Sequence, residues 1–161
     1  MSIIHLMVGV QGSGKSTFSK KLSKKLNIKI VSTDIVRQTN PGIDESLVWP
    51  MVYQSCASEL INGNDVIFDA TNITPKVRQR LKDNIDKFVT DYEVGCYYFK
   101  VDLKTCIERV ANRNQNPDEL FLPIEAVSSY FEKIIPPTLE EGFCFVKVVD
   151  EFGEILEEKY K

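Results

Sequence analysis

The sequence predicts an α/β fold in which a parallel sheet is sandwiched by helices on both faces. Three observations point there. Short apolar and β-branched runs alternate with stretches of helical periodicity, the pattern of strand–helix–strand units. The apolar run Ile3–Val8 enters a glycine-rich octapeptide, Gly9 to Ser16, and helical spacing follows it. Carboxylates stand at or just beyond the ends of two further runs, Asp34 and Asp69, where open parallel sheets place their ligands.

Ile3-Ile4-His5-Leu6-Met7-Val8 reads as a buried first strand. From Thr17 to Leu26 apolar and basic residues alternate at helical spacing. Ile28–Ser32, rich in β-branched residues, is a second strand, with Thr33–Arg37 at its C-terminal end. Asn40-Pro41-Gly42 signals a loop. A helix is expected from about Glu45 to Ile61, with Pro50 either bending it or marking its true start, and Asn62-Gly63-Asn64 ends it. Asp65–Asp69 is a third strand. Thr74 then caps a helix that has Pro75 in its first turn and reaches about Phe88. Tyr92–Val101 is a long strand, and Asp102 caps a helix from Leu103 to Asn112. Arg113–Leu122 is polar and contains Asn114, Asn116 and Pro117, so a mobile lid loop is expected there. Pro123-Ile124-Glu125 opens a helix to about Ile134, which Pro136-Pro137 stops. Phe143–Val149 is a last strand, and Phe152-Gly153-Glu154 turns into a short tail.

Composition narrows the function classes. A chain of 161 residues with 43% hydrophobic and 27% charged residues fits a single domain over 1–161 with a well-buried core. No apolar run is long enough to span a membrane, and the N-terminal apolar residues belong to a strand rather than to a signal peptide. Cys56, Cys96, Cys106 and Cys144 lack metal-ligand spacing and read as reduced thiols, so a cytoplasmic setting is expected. His5, the lone histidine, falls inside the first strand, where packing outweighs catalysis. The net charge of −3 gives no general attraction to nucleic acid, so such a partner needs a local basic groove.

The octapeptide carries the chemistry. Gly9-Val10-Gln11-Gly12-Ser13-Gly14-Lys15-Ser16 satisfies G-x-x-x-x-G-K-[ST] without substitution, between a strand and a helix. Its glycines let the backbone curl with N–H groups inward, and the helix N-terminus adds positive potential. The expectation is a P-loop NTPase fold in which Lys15 reaches the β/γ-phosphates of ATP and the Ser16 hydroxyl ligands Mg²⁺. A guanine-reading Asn-Lys-x-Asp segment is absent, which argues against a GTPase, and large motor and AAA-type ATPases need more chain. A small kinase remains.

The run Gly9-x-x-Gly12-Ser13-Gly14-Lys15-Ser16-Thr17 is followed by Ser32-x-Asp34-x-x-Arg37-Gln38. Then come Asp69-x-Thr71-Asn72-x-x-Pro75-x-x-Arg78, Arg109-x-x-x-Arg113, and a Pro123-Ile124 helix start with Tyr130. In this order and spacing the chain resembles the kinase domain of the polynucleotide 5′-hydroxyl kinases, from Ile3 to about Lys133. The resemblance implies an ATP set of Gly9, Gly12, Ser13, Gly14, Lys15, Ser16 and Thr17, with Arg109 and Arg113 as lid arginines over the nucleotide. It implies that Asp34 is the general base for a 5′-hydroxyl and that Arg37 clamps the acceptor's phosphate. It makes Lys15 and Arg113 catalytic with Asp34, and puts Asp69, Thr71, Asn72 and Arg78 on the acceptor side. The implied partner is a 5′-hydroxyl end of DNA or RNA, with no membrane.

The residues themselves leave alternatives at several of these positions. Asp34 caps the following helix or touches Mg²⁺ through water, and Arg37 pairs with Asp69. Asp69 binds Mg²⁺ through water, positions Arg37 or contacts substrate. Thr71 and Asn72 bond the acceptor or build their loop. Arg109 and Arg113 are solvated arginines favoured by a helix C-terminus. Arg78 and Arg80, with Lys76, line an acceptor groove or form a wet helix face. A kinase of a small-molecule hydroxyl and a non-catalytic nucleotide-binding module are the competing functions, and the pairing of Asp34 with Arg37 speaks against the second.

Overall fold

The computed structural model describes residues 1–161. Six strands form one sheet: β1 (Ser2–Val8), β2 (Lys29–Ser32), β3 (Val66–Asp69), β4 (Tyr92–Phe99), β5 (Phe145–Val149) and β6 (Ile155–Tyr160). Six helices connect or cover them: α1 (Lys15–Leu26), α2 (Thr33–Thr39), α3 (Val48–Ile61), α4 (Pro75–Ile85), α5 (Leu103–Asn114) and α6 (Ile124–Lys133). The strand order is β2-β3-β1-β4-β5-β6, and every pairing is parallel except β5 with β6. The expected parallel sheet with helices on both faces is what forms, and β1 sits at its centre. The chain winds one way to β2 and β3 and the other way to β4 and β5, so the order reverses beside the C-terminal end of β1.

Period-two alternation in β1 sorts the core into two layers. Ile4, Leu6 and Val8 face the cluster that holds Val52, Cys56 and Leu60 of α3 and Leu81 and Ile85 of α4. Met7 faces the other way, toward Ile67, Tyr97, Phe99 and the α1 side chains Phe18 and Leu22. A third cluster, Val10, Val101, Cys106, Val110 and Val127, packs α5 and α6 under the glycine-rich loop. His5 also turns toward the α1 side, where one ring nitrogen lies 3.0 Å from the Tyr97 hydroxyl and the other 3.2 Å from Asp65 Oδ2. Burial lowers its pKa, so it is a packed histidine, as its place in the first strand implies.

Several element ends fall differently from the sequence expectation, each for a local reason. Glu45–Leu47 is a separate 3₁₀ turn, and Pro50 lies in the first turn of α3, where no backbone N–H is needed. The helix after Thr74 ends at Ile85 and not near Phe88, and a turn follows it in which the N–H groups of Phe88 and Val89 share Ile85 O. Arg113 belongs to the last turn of α5, not to a loop. The segment after it is closed at its base, since the Asn114 amide donates to Leu122 O at 2.7 Å and accepts from Leu122 N at 2.9 Å. The last parallel strand begins at Phe145, two residues after the fully buried Phe143. The expected tail is a strand: β6 pairs antiparallel with β5 after a turn in which Asp150 Oδ1 accepts from the N–H groups of Phe152 and Glu154. All six side chains of β6 are exposed, which erases the alternation that marks a half-buried strand.

Gly95 is required by packing between β4 and β5. A Cβ there would stand 2.0 Å from the Phe145 ring, which is also held edge-on to Tyr97 at 5.3 Å. Gly95→Ala should therefore destabilise the protein by about 1–3 kcal/mol through overpacking, read as a lower urea midpoint at unchanged slope.

Candidate active site

The loops after β1 and β3 and the start of α2 after β2 open into one cleft of about 780 Å³ at the C-terminal edge of the sheet. The phosphate-type loop forms its floor, and its shape follows from three glycines. Gly12 and Gly14 have φ of 81° and 100°, values that L side chains rarely adopt, and a Cβ on Gly12 would lie 2.5 Å from Cys106 O. A Cβ on Gly9 would lie 2.7 Å from Ser13 Oγ. Gly9 N donates to Thr71 O at 3.0 Å, which ties this loop to the one after β3.

Lys15, 8% exposed, bends back so that Nζ donates to Val10 O at 2.9 Å. Burial lowers its pKa, opposed by the charges of Asp69 and Asp34 and reinforced by that of Arg113. Ser16 Oγ donates to Asp69 Oδ2 at 3.0 Å. Burial raises the Asp69 pKa, against the pull of Lys15 and the Ser16 hydrogen bond. These features fit a Mg²⁺-bound polyphosphate. A desolvated ammonium with a single carbonyl partner calls for an anion, and the buried Ser13 Oγ has no partner of its own. Ser16 and Asp69 would hold the cation. No cluster of three or more His, Cys, Asp or Glu that could hold a metal ion is present.

Two arginines of α5, four residues apart and thus on one helix face, look onto the loop. Arg109 Nη1 donates to Gly12 O at 3.2 Å, and its Nη2 donates to Glu151 O in the β5–β6 turn. Arg113 lines the cleft, close enough for its charge to act on Lys15 and Asp69. Thr17 and Thr71 also line it.

On the opposite, open side, Ser32 Oγ caps α2 by accepting from Asp34 N and Ile35 N, so Asp34 is in the first turn and is not the cap. Arg37 Nη1 donates to Asp34 Oδ1 at 2.9 Å. The rest of the guanidinium is bound to Glu45, not to Asp69: Nε reaches both Glu45 oxygens, at 3.1 and 3.2 Å, and Nη2 donates to Oε1. That corrects the Arg37–Asp69 pairing considered from the sequence.

Asn72 and Arg78 do not reach the cleft. Asn72 is 1% exposed with φ 47°, and its amide donates to Met7 O at 2.9 Å and Ala70 O at 3.3 Å, which shapes the turn after β3. Arg78 is 1% exposed, forks onto Glu141 at 2.9 and 3.0 Å, and donates to Asn72 O at 2.8 Å. Both support the turn that carries Asp69 and Thr71 and do not line the acceptor side. A signal for this was present: residues two apart on a helix face opposite ways, so Lys76 and Arg80 can share a wet face only if Arg78 turns inward. Sequence reasoning missed Glu45, Phe121, Phe152 and the single tryptophan, Trp49. Glu45 holds Arg37, and the other three line the cleft.

A glycine-curled loop with a buried lysine, a Ser–Asp pair and two overhanging arginines defines a P-loop kinase domain. A family model described as an AAA domain matches residues 4–136, and the chain belongs to that family. An AAA-family domain thus fits within 161 residues, contrary to the expectation that AAA-type proteins need more chain. The chain is 29% identical over 146 residues to the L-seryl-tRNA(Sec) kinase of Methanococcus maripaludis, covering 82% of the chain and 52% of that protein. It therefore spans about half the length of that relative. It is 28% identical to the shikimate kinase of a Sulfurihydrogenibium species, covering 79% of the chain and 77% of that enzyme. Among solved structures, a chain of the Pnkp1/Rnl/Hen1 RNA repair complex superposes with a TM-score of 0.71 at 24% identity, over 82% of this chain and 43% of that one. This last likeness shows the shared fold. No helix is long and apolar enough to cross a membrane.

Lys15→Met should abolish ATP turnover yet raise the thermal midpoint, because a desolvated charge is removed. The sign with pH is fixed by the lowered pKa. Between Lys15's folded value and the ordinary 10.5, the unfolded chain binds more protons, so wild-type stability relative to Lys15→Met rises with pH in that window. Paired thermal melts across alkaline pH check both statements.

Proposed function

We propose that this domain transfers the γ-phosphoryl group of ATP to the 5′-hydroxyl of a polynucleotide end. The observation that carries the reading is the Asp34–Arg37 pair, 2.9 Å apart, on the open side of the cleft floored by Lys15 and the Ser16–Asp69 pair. A module that only binds nucleotide has no use for a carboxylate and an arginine there. Bound ATP with Mg²⁺ supplies the transferable group. Gly9, Gly12, Ser13, Gly14, Lys15, Ser16 and Thr17 would cradle its phosphates, and Ser16 with Asp69 would hold the cation, which neutralises phosphate charge when bound.

Asp34 accepts the proton as the acceptor O–H bond breaks and the oxygen bonds to phosphorus; the bond to the ADP oxygen breaks and ADP leaves. Lys15 and Arg113 balance the charge that gathers on the transferred group, and Arg109 holds the nucleotide from above. Arg37 clamps the phosphate 3′ to the attacked nucleoside, where a planar fork suits a tetrahedral anion. The seryl-tRNA kinase and the RNA repair complex are consistent with an acceptor carried on nucleic acid. The shikimate kinase and a gluconokinase of Arabidopsis thaliana favour a second reading, a small hydroxy acid.

Phosphate transfer from labelled ATP to a panel of acceptors separates them: 5′-hydroxyl DNA and RNA, nucleoside 3′-monophosphates, free nucleosides, shikimate and gluconate. Arg37 is one-third exposed and already shared between two carboxylates, so preference for the 3′-monophosphate over the nucleoside should be about ten-fold, the low end for a charged hydrogen bond. Arg37→Ala should erase it. Asp34→Asn should lower kcat by about a hundred-fold or more with ATP binding kept. Equal use of nucleosides and their 3′-monophosphates by the wild type, or turnover with sugar acids alone, overturns the polynucleotide reading.

A further inference from the structure

We infer that Glu45 is a built-in competitor for the acceptor's anion: its carboxylate fills the fork of Arg37 and must leave before that fork can close on a phosphate. The inference rests on Arg37 being the acceptor clamp. Arg37 has three donor groups to offer. Nη1 is given to Asp34, while Nε and Nη2, the edge that suits two oxygens of one anion, are both given to Glu45. An acceptor phosphate approaching that edge meets a carboxylate already seated on it.

Glu45 is free to go. Its side chain is 66% exposed, it sits at the start of the short turn Glu45–Leu47, and its carboxylate has no hydrogen-bond partner besides Arg37. The chain leading to it passes through Gly42, around which a Cβ would meet nothing within 4 Å, so little packing resists movement of this segment. An exposed ion pair is weak in itself. Its strength as a competitor comes from tethering, which keeps the carboxylate at high local concentration beside the guanidinium. Such competition lowers the affinity of every anionic acceptor by one common factor and leaves neutral acceptors untouched. It also gives Arg37 a partner whenever product departs, so the guanidinium stays oriented toward Asp34 between turnovers.

Calorimetric titration of the full chain with a nucleoside 3′-monophosphate and with the matching free nucleoside tests this. Glu45→Gln and Glu45→Ala should each bind the phosphorylated ligand about five-fold more tightly, the upper range for release of one exposed pair, with the free nucleoside unchanged. Unchanged or weaker binding of the 3′-monophosphate in both variants overturns the inference and makes Glu45 a positioning residue for Arg37. Arg37→Ala, titrated in parallel, separates the two levels. If the wild type and Arg37→Ala both bind the two ligands alike, the clamp itself is refuted and the competitor with it. If Arg37→Ala loses a preference that the wild type has, while the Glu45 variants gain nothing, only the competitor is refuted. Thermal melts of each variant verify folding.

Discussion

The arrangement of this fold turns on one buried cation. A lysine ammonium cannot be withdrawn from water without oxygens to replace it, and Lys15 finds them at the ends of three strands. Val10, just past β1, gives a carbonyl; Asp69, closing β3, and Asp34, beyond β2, give charge that opposes the cost of burial. The parallel registers Leu6↔Phe68 and Ser32↔Asp69 bring those strand ends level. The left-handed glycines turn the loop tightly enough for Nζ to reach back to it. The deeper polar support follows from the same demand: Arg78, Glu141 and Asn72 hold the turn after β3 so that Asp69 faces inward.

The two sides of the cleft are built on different electrostatic rules. On the nucleotide side the hydrogen-bond partners of the cations are neutral carbonyls, Val10 O for Lys15 and Gly12 O and Glu151 O for Arg109, while Asp69 and Asp34 act on Lys15 through charge without a direct hydrogen bond. Their charge is left available to a polyanion. On the open side Arg37 is held by two carboxylates, so that site is already negative as a group.

Most of the fold was legible because its signals are local. The apolar runs, Thr74 and Asp102 as caps, Pro75 at a first turn and the glycine-rich octapeptide each determine their own neighbourhood, and the structure has the expected element at each, with some strand ends shifted by one or two residues. What escaped depended on partners far away in the chain. β6 has no inward face to betray it. Arg78 looks like one of three surface cations until Glu141, sixty-three positions later, is seen beside it. Asn72 looks like a ligand-binding amide until Met7 O is found to need it. Glu45 had no motif at all, since its meaning lies wholly in the arginine it touches. Of the residues expected around the cleft, Gly12 to Thr17, Asp34, Arg37, Asp69, Thr71, Arg109 and Arg113 line it, and Asn72 and Arg78, each held by a distant partner, do not.

The reciprocal amide pair between Asn114 and Leu122 has a mechanical consequence. It closes the intervening residues into a loop fastened at its neck to the last turn of α5, which also carries Arg113. The loop is therefore anchored to the same helical turn as its arginine, on a helix that packs against α6 around Val110 and Val127. Much of the disorder that an open flap would surrender on closing is already given up in the resting protein.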